Sequence, residues 1–304
     1  MALESKNVPL ALYYLRVGLG FLTLWSAWDV VVHQEQIYAL MAGFPLIGPL
    51  AGQVMLLWFL FLLATGAALL VGWYYREASV ATAAVMALSL LILAPLTPAV
   101  NAVIGPFRPL ALKNLVWLGA ALVLATHETD PYNPERRHAQ GYPAMAGNAH
   151  LAFRILFGVY CVWDGILKLA NAHAYGLLLK KAMMYLPLFP DAWAGATLAV
   201  LAVLQIAAGL ILLTGIQFRW GLVILLAIAA FHLLGLNWVA TKSLLRPGGR
   251  FVMRDILLLA SVLYFWLAGP GLPVLRVQVS KSAPSSEPPA GMGGTGMPPG
   301  MGRL

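Results

Sequence analysis

Long apolar runs separated by short polar stretches dominate the chain. Eight runs can be drawn as helices, at 10–32, 50–73, 78–98, 109–126, 150–171, 193–215, 218–240 and 251–268. About twenty helical residues cross the roughly 30 Å of hydrocarbon in a bilayer. A helix pairs its own backbone groups, whereas an open sheet edge in lipid leaves them unpaired. The pattern therefore predicts an all-α polytopic membrane protein with eight transmembrane helices.

The second half of the chain repeats the pattern of the first. A shift of 138 residues places Arg16, Gly20 and Trp25 on Arg154, Gly158 and Trp163. A shift of 143 places Gly66, Gly72 and Arg76 on Gly209, Gly215 and Arg219. A shift of 141 places Lys113-Asn114-Leu115 on Arg254-Asp255-Ile256. Because each unit has four helices, both enter the membrane from the same face, which predicts two parallel four-helix repeats.

Polar and proline-containing stretches set the predicted boundaries. Pro95 and Pro98 are expected to end the third helix, because proline lacks a backbone donor and clashes with the preceding turn. The predicted organisation is a first repeat at 1–126, a polar linker at 127–149, a second repeat at 150–269 and a tail at 270–304. The tail is rich in Pro, Gly and Met and has little apolar surface to bury, so it is expected to be disordered.

The composition excludes an ordinary soluble domain. Hydrophobic residues make up 61% of the 304 residues and charged residues 10%, against about 45–50% and about 25% in soluble domains. The first apolar run has no basic leader or cleavage pattern and is expected to be a retained helix. A single cysteine, Cys161, excludes a disulfide or a cysteine-ligated cluster within the chain. No metal, flavin or nucleotide motif is visible, and nothing indicates nucleic-acid binding.

Basic residues divide almost evenly between the two predicted membrane faces, so their count does not set the orientation. The repeat-matched arginines 16, 154, 76 and 219 lie on the face that holds both termini, and we expect that face to be cytoplasmic. Arg76 and Arg219 are interpreted as headgroup anchors. Arg16 and Arg154 lie deeper, and they are either anchors or groups that bind carbonyls or a ligand.

Ionisable residues gather near the opposite face of the second half. They are Asp164, Lys168, His232, Arg254 and Asp255, with the polar Asn237 beside them. They lie beneath a basic surface, here called the basic mouth, formed by Lys180, Lys181, Lys242, Arg246 and Arg250. Asp164 and Lys168 are four residues apart and so share one helix face. Burying a carboxylate alone is costly, so each is expected to meet another polar group. The cluster either lines a ligand pocket or forms polar contacts that hold the helices together.

Four sequence features together resemble the DoxX family of bacterial membrane proteins. They are Arg-x-x-x-Gly in the first helix, AGFP at 42–45, TGAALLVG with an arginine four residues later, and LKNLVWLGAALVL at 112–124. The resemblance implies four-helix membrane units in a bacterial cytoplasmic membrane, and the related DoxD proteins are associated with thiosulfate:quinone oxidoreductase. Members often carry a carboxylate one turn before the glycines of the second helix, where this chain has Leu62 and Gln205. Gln205 therefore joins the candidate pocket.

Three classes of function follow. The first is a subunit of a quinone-linked redox system, acting on thiosulfate or another sulfur compound, in which His232 moves a proton. The electrons come from a redox partner subunit or directly from the substrate. The second is a non-catalytic membrane anchor or assembly subunit. A small-solute carrier is disfavoured, since parallel repeats without a broken helix differ from many transporter folds. Lipids are the expected surroundings in each case.

Overall fold

The computed structural model describes residues 8–43, 48–104, 108–127, 143–173, 176, 179, 193–232 and 249–270. All regular structure in these ranges is helical. The helices are α1 (Val8–Val32), α2 (Gln34–Ala42), α3 (Ala51–Val71), α4 (Tyr75–Ile104), α5 (Arg108–Thr126), α6 (Pro143–Ala170), α7 (Ala194–Thr214), α8 (Phe218–Ala230) and α9 (Gly249–Ala268). A single 3₁₀ turn, Gly48–Leu50, precedes α3.

Four helices of the described part are long and apolar enough to cross a membrane. They are Val8–Val32, Gly48–Val71, Met145–Ala170 and Ala194–Thr214. Shorter apolar helical stretches occupy Asn114–Thr126, Phe218–Ala230 and Asp255–Ala268. Many large apolar side chains of α3 are exposed, among them Leu57 at 64%. An apolar surface of this kind is what lipid covers, so the fold is that of a helical membrane protein.

Helices α1, α5, α6 and α9 form the centre of the molecule. Helix α1 packs on α3 and α9, and α6 packs on α5 and α7. Helices α4 and α8 complete the outer layer, α4 against α5 and α3, and α8 against α7 and α9. The largest fully buried side chains include Leu15, Leu19, Phe153, Tyr264 and Phe265, all on central helices.

Glycines allow the first two long helices of each half to cross closely. A Cβ added at Gly66 would lie 2.8 Å from the backbone nitrogen of Leu24 in α1. A Cβ added at Gly209 would lie 2.8 Å from the backbone nitrogen of Val162 in α6. No larger residue fits such a backbone contact without a shift, and close glycine contacts are a common means of helix association in membranes.

The turns that follow α3 and α7 also have matching geometry. Gly72 and Gly215 end the two helices with φ of 86° and 74°, which glycine adopts without steric cost. Two residues further on, Tyr74 and Gln217 have φ of 47° and 51°. Each turn therefore reverses the chain within three residues and joins two antiparallel helices.

Two predicted helix boundaries are wrong. Helix α4 continues past Pro95 and Pro98 to Ile104, because helices packed among neighbours tolerate proline when the freed backbone groups find other partners. Helix α6 begins at Pro143 rather than at residue 150, since proline suits the first helical turn and small residues follow it. The end of the predicted linker is therefore helical.

Helix α2 was not predicted. Its sequence QEQIYALMA has only nine residues, too few for a search that seeks membrane-length runs. The segment 233–240 of the predicted seventh helix, and the tail from 271, lie outside the described residues.

Replacing Gly209 by alanine is expected to destabilise the protein. The added methyl group would meet the Gly158 carbonyl oxygen and the Val162 nitrogen at 2.8 Å each. Overpacking costs about 1–3 kcal/mol, which exceeds the gain of about 1 kcal/mol in helix propensity. Thermal unfolding of the detergent-solubilised protein would show a lower midpoint. Gly195→Ala on the same helix is the control, because nothing lies within 4 Å of its added Cβ, and an equal loss in both variants would contradict the crossing argument.

Candidate functional site

Three of the predicted site residues form one buried network between α6 and α7. The Lys168 ammonium lies 3.0 Å from Asp164 Oδ2 and also donates to Gln205 Oε1. Gln205 Nε2 donates to the same Asp164 oxygen at 2.8 Å. Asp164, Lys168 and Gln205 are 1%, 3% and 2% exposed. The amide of Gln205 thus bridges an ion pair of zero net charge, which lowers the cost of burying both charges.

A second pair joins α8 to α9. His232 Nδ1 lies 3.3 Å from Asp255 Oδ1, and both side chains are buried. Phe231 and His232 form a π-helical turn at the end of α8. Such turns are rare and often occur at functional sites, because they change the direction in which a side chain leaves the helix.

The two groups lie at similar depth. Arg154 donates to the Pro270 carbonyl oxygen and lies beside Gly215, so these three residues mark one level. Asp164 is ten residues beyond Arg154 and Gln205 ten residues before Gly215, or about 15 Å along each helix axis. Asp255 is fifteen residues before Pro270, or about 22 Å. The two groups therefore differ in level by about 7 Å, a little over one helical turn, and together they form one polar layer of that thickness in the second half.

The remaining predicted pocket residues cannot be placed with these five. Asn237 lies outside the described residues, as do Lys180, Lys181, Lys242 and Arg246 of the predicted basic mouth. Arg254 belongs to α9, but its side chain lies outside the described part. The basic mouth therefore stays a prediction from sequence.

Both deep arginines bind backbone carbonyl oxygens, Arg16 in the last turn of a neighbouring helix and Arg154 just past the end of another. Arg16 Nη1 donates to the carbonyl oxygens of Leu69 and Leu70 at 2.7 and 3.1 Å, in the last turn of α3. Arg154 Nη1 donates to the Pro270 carbonyl oxygen at 2.8 Å, just beyond α9. The last carbonyls of a helix have no partner within it, and a cation there also meets the negative end of the helix dipole. Carbonyl binding, one of the alternatives left open by the sequence, is thus observed for both arginines.

A buried histidine that the sequence reasoning passed over lies near the opposite face. His150 is fully buried in α6 and its Nδ1 is 2.7 Å from the Tyr264 hydroxyl oxygen of α9. The rings of Phe153 and Phe265 surround this pair. Sequence gave little signal for it, because residue 150 stood at the predicted boundary between linker and helix and Tyr264 lies in an ordinary apolar run.

His127 directly follows α5 and is largely buried. The His127 Nδ1 donates to the Val123 carbonyl oxygen at 2.9 Å. The backbone carbonyl oxygen of His127 accepts a hydrogen bond from the Tyr75 hydroxyl at 3.2 Å. Burial lowers the pKa of His127 below its usual value, and the hydrogen bond to Val123 offsets part of that effect. The neutral imidazole is therefore favoured in the folded protein.

Neither a metal-binding group nor a similar known protein points to a particular function for the described residues. In the part of the chain that the structure describes, no three His, Cys, Asp or Glu side chains are grouped so as to hold a metal ion. Comparison of the chain with family models, curated proteins and solved structures gives no match.

Replacing Arg16 by methionine is expected to destabilise the first half. Two charge-assisted hydrogen bonds to the end of α3 would be lost, and hydrogen bonds to charged groups contribute about 1.5–3 kcal/mol each. Differential scanning fluorimetry in detergent would measure the lowered unfolding midpoint. Arg219→Met is the control, since Arg219 is exposed, and an unchanged midpoint for Arg16→Met would contradict the capping role.

Acidification is expected to destabilise the protein partly through His127. Because the pKa of His127 is lowered on folding from a usual value of 6.5, the unfolded chain takes up a proton first. The contribution of His127 to the free energy of unfolding is therefore present above about pH 6.5, and it is lost as the pH falls toward the pKa of His127 in the folded protein. Unfolding midpoints at pH 8 and pH 5 would show a smaller acid-induced loss in His127→Gln than in the wild type. An identical loss in both proteins would contradict this assignment.

Proposed function

We propose that the chain is an eight-helix integral protein of a bacterial cytoplasmic membrane, built from two related, parallel four-helix units with both termini on the cytoplasmic face. Its resemblance to the DoxX family and the matching geometry of the two halves support this architecture. We further propose that it serves as a subunit of a quinone-linked redox system, with the oxidation of thiosulfate or another sulfur compound as the linked reaction.

One observation carries the redox proposal: five polar side chains, four of them ionisable, are buried in one layer of the second half. Asp164, Lys168, Gln205, His232 and Asp255 are each at most 5% exposed. Ionisable groups inside membrane helices are expensive to bury and commonly mark paths for protons, ions or substrates. The layer is therefore the best candidate for chemistry in the described part of the chain.

The His232–Asp255 pair has the chemistry that quinone reduction needs. Reduction of a quinone adds protons as well as electrons, and histidine is the side chain whose usual pKa lies closest to neutral pH. Asp255 lies beside Nδ1, which favours the tautomer protonated there and stabilises the imidazolium when the ring takes up a proton. In this proposal His232 hydrogen-bonds the quinone and exchanges the proton with it, and Asp255 orients the ring.

The Asp164–Lys168–Gln205 network would bind the polar head of the quinone. A quinone presents carbonyl oxygens, which accept hydrogen bonds, on an apolar ring that suits a membrane interior. Lys168 is a buried cationic donor, and its position is fixed from two sides by Asp164 and Gln205. In this proposal the electrons come from a redox partner subunit.

A second candidate is a non-catalytic membrane anchor or assembly subunit. The network itself favours it, since Gln205 accepts from Lys168 and donates to Asp164, so the three side chains satisfy one another across the α6–α7 contact. Interhelical hydrogen bonds of this type stabilise membrane helices by about 0.6–2 kcal/mol each. An anchor needs nothing more from these residues.

The decisive experiment is quinone content. Protein purified in mild detergent with its native lipids would be extracted, and quinones would be measured by chromatography and ultraviolet absorbance. We expect the wild type to retain quinone and His232→Gln to lose most of it while keeping its unfolding midpoint, because the amide fills similar space and still hydrogen-bonds to Asp255. Absence of quinone from the wild type would favour the anchor.

His33→Gln is the matched control. His33 also has an aspartate partner, with its Nδ1 3.0 Å from Asp29 Oδ1, but that pair lies at the end of α1 in the first half. Quinone content should be unchanged in His33→Gln. If both variants lost quinone equally, His232 would have no special role.

A further inference from the structure

The first half lacks the charged network at the equivalent positions. The shifts that relate the halves place Asp164, Lys168 and Gln205 on Ser26, Val30 and Leu62. Val30 and Leu62 are 6% and 1% exposed and belong to one apolar cluster with Ala27. Apolar packing therefore fills the space that holds an ion pair and an amide in the second half.

The His232–Asp255 pair has a neutral counterpart. The same shifts place these residues on Ser89 and Asn114. Asn114 Nδ2 donates to Ser89 Oγ at 3.1 Å, so one hydrogen bond joins α4 to α5 where the other joins α8 to α9. The contact between the two helices is kept, but neither partner can change its charge near neutral pH.

The comparison of these positions depends on matching backbones as well as sequence shifts. The nitrogen of Leu24 lies as close to an added Cβ at Gly66 as the nitrogen of Val162 does to one at Gly209, at 2.8 Å. Leu24 and Val162 differ by 138 residues and the two glycines by 143, which are the shifts that align the helices. The register of α1 on α3 is therefore the register of α6 on α7.

Among the described residues of the first half, Asp29 and His33 also form a pair, but not at the positions equivalent to the network. Asp29 and His33 would align with Leu167 and Asn171, of which Leu167 lies between Asp164 and Lys168 and Asn171 lies three residues beyond Lys168. The Asp29 side chain is 27% exposed, and His33 lies outside α1 between two helices. The positions equivalent to the network are held by Ser26, Val30 and Leu62 instead, so this pair does not substitute for the buried layer.

We infer that each chain has one ligand site, confined to the α6–α9 unit, and that Val30, Leu62 and Ala27 close the equivalent position of the α1–α5 unit. This inference rests on the proposed function and gives it a stoichiometry of one quinone per chain. Replacing a buried ion pair by well-packed apolar residues is often neutral or stabilising. The second half keeps the costlier arrangement at this layer because it binds ligand there.

The chain itself supplies the substitutions that test this. The triple variant Asp164→Ser, Lys168→Val, Gln205→Leu gives the second half the residues of the first, in a backbone frame already known to accept them. The double variant His232→Ser, Asp255→Asn does the same for the α8–α9 pair. The matched control is Ser89→Ala, Asn114→Leu, which changes the corresponding contact in the first half alone.

Titration of delipidated protein in detergent with decylubiquinone, followed by tryptophan fluorescence and calorimetry, would measure stoichiometry and affinity. We expect one equivalent bound per chain, with affinity at least about tenfold weaker in the triple and double variants and unchanged in the control. The unfolding midpoint of each variant shows whether it is folded. If the triple variant does not fold, Gln205→Leu alone must weaken binding.

Each outcome distinguishes the two proposals. Two equivalents per chain, or weakened binding in Ser89→Ala, Asn114→Leu, would overturn the single-site inference while quinone binding stands. Full affinity in a folded triple variant would also overturn it. No binding by the wild type would overturn the proposed function and this ligand class together.

Discussion

The carbonyl groups at helix ends impose the constraint on which the arrangement of the halves depends. A helix that ends among apolar neighbours leaves its last carbonyls without partners, and little water is available to satisfy them. Arg16 reaches from α1 to the end of α3, and Arg154 reaches from α6 to Pro270, two residues past the end of α9. Each contact fixes how far one helix is displaced along another. This displacement sets which residues of the two helices face each other further along.

That displacement explains why similar backbones hold different interiors. With α1 fixed on α3, residues one to four turns further along must meet whatever the partner helix presents at the same level. In the first half these are Val30 and Leu62, and in the second Lys168 and Gln205. The shared contacts between helices are thus separate from the variable layer, and one half could change its chemistry without changing its fold.

The helices were predictable from sequence because apolar runs of membrane length have few other structures available. The spacing of Asp164 and Lys168 predicted a shared helix face, and the two side chains contact each other. The bridging position of Gln205 was not predictable, since it depends on the rotation of α7 against α6. Helix α2, the continuation of α4 through Pro95, and the His150–Tyr264 contact were missed. Each depends on neighbours that local sequence does not show.

The tight turns at Gly72 and Gly215 have a consequence for biogenesis. Because only three residues separate α3 from α4 and α7 from α8, neither helix of a pair can cross the bilayer and leave its partner far behind in water. Each pair is short enough to enter the membrane as one hairpin during synthesis, with its backbone hydrogen bonds already formed. The central helices α1 and α6, which emerge from the ribosome before their hairpins, would then serve as the surfaces on which α3–α4 and α7–α8 assemble.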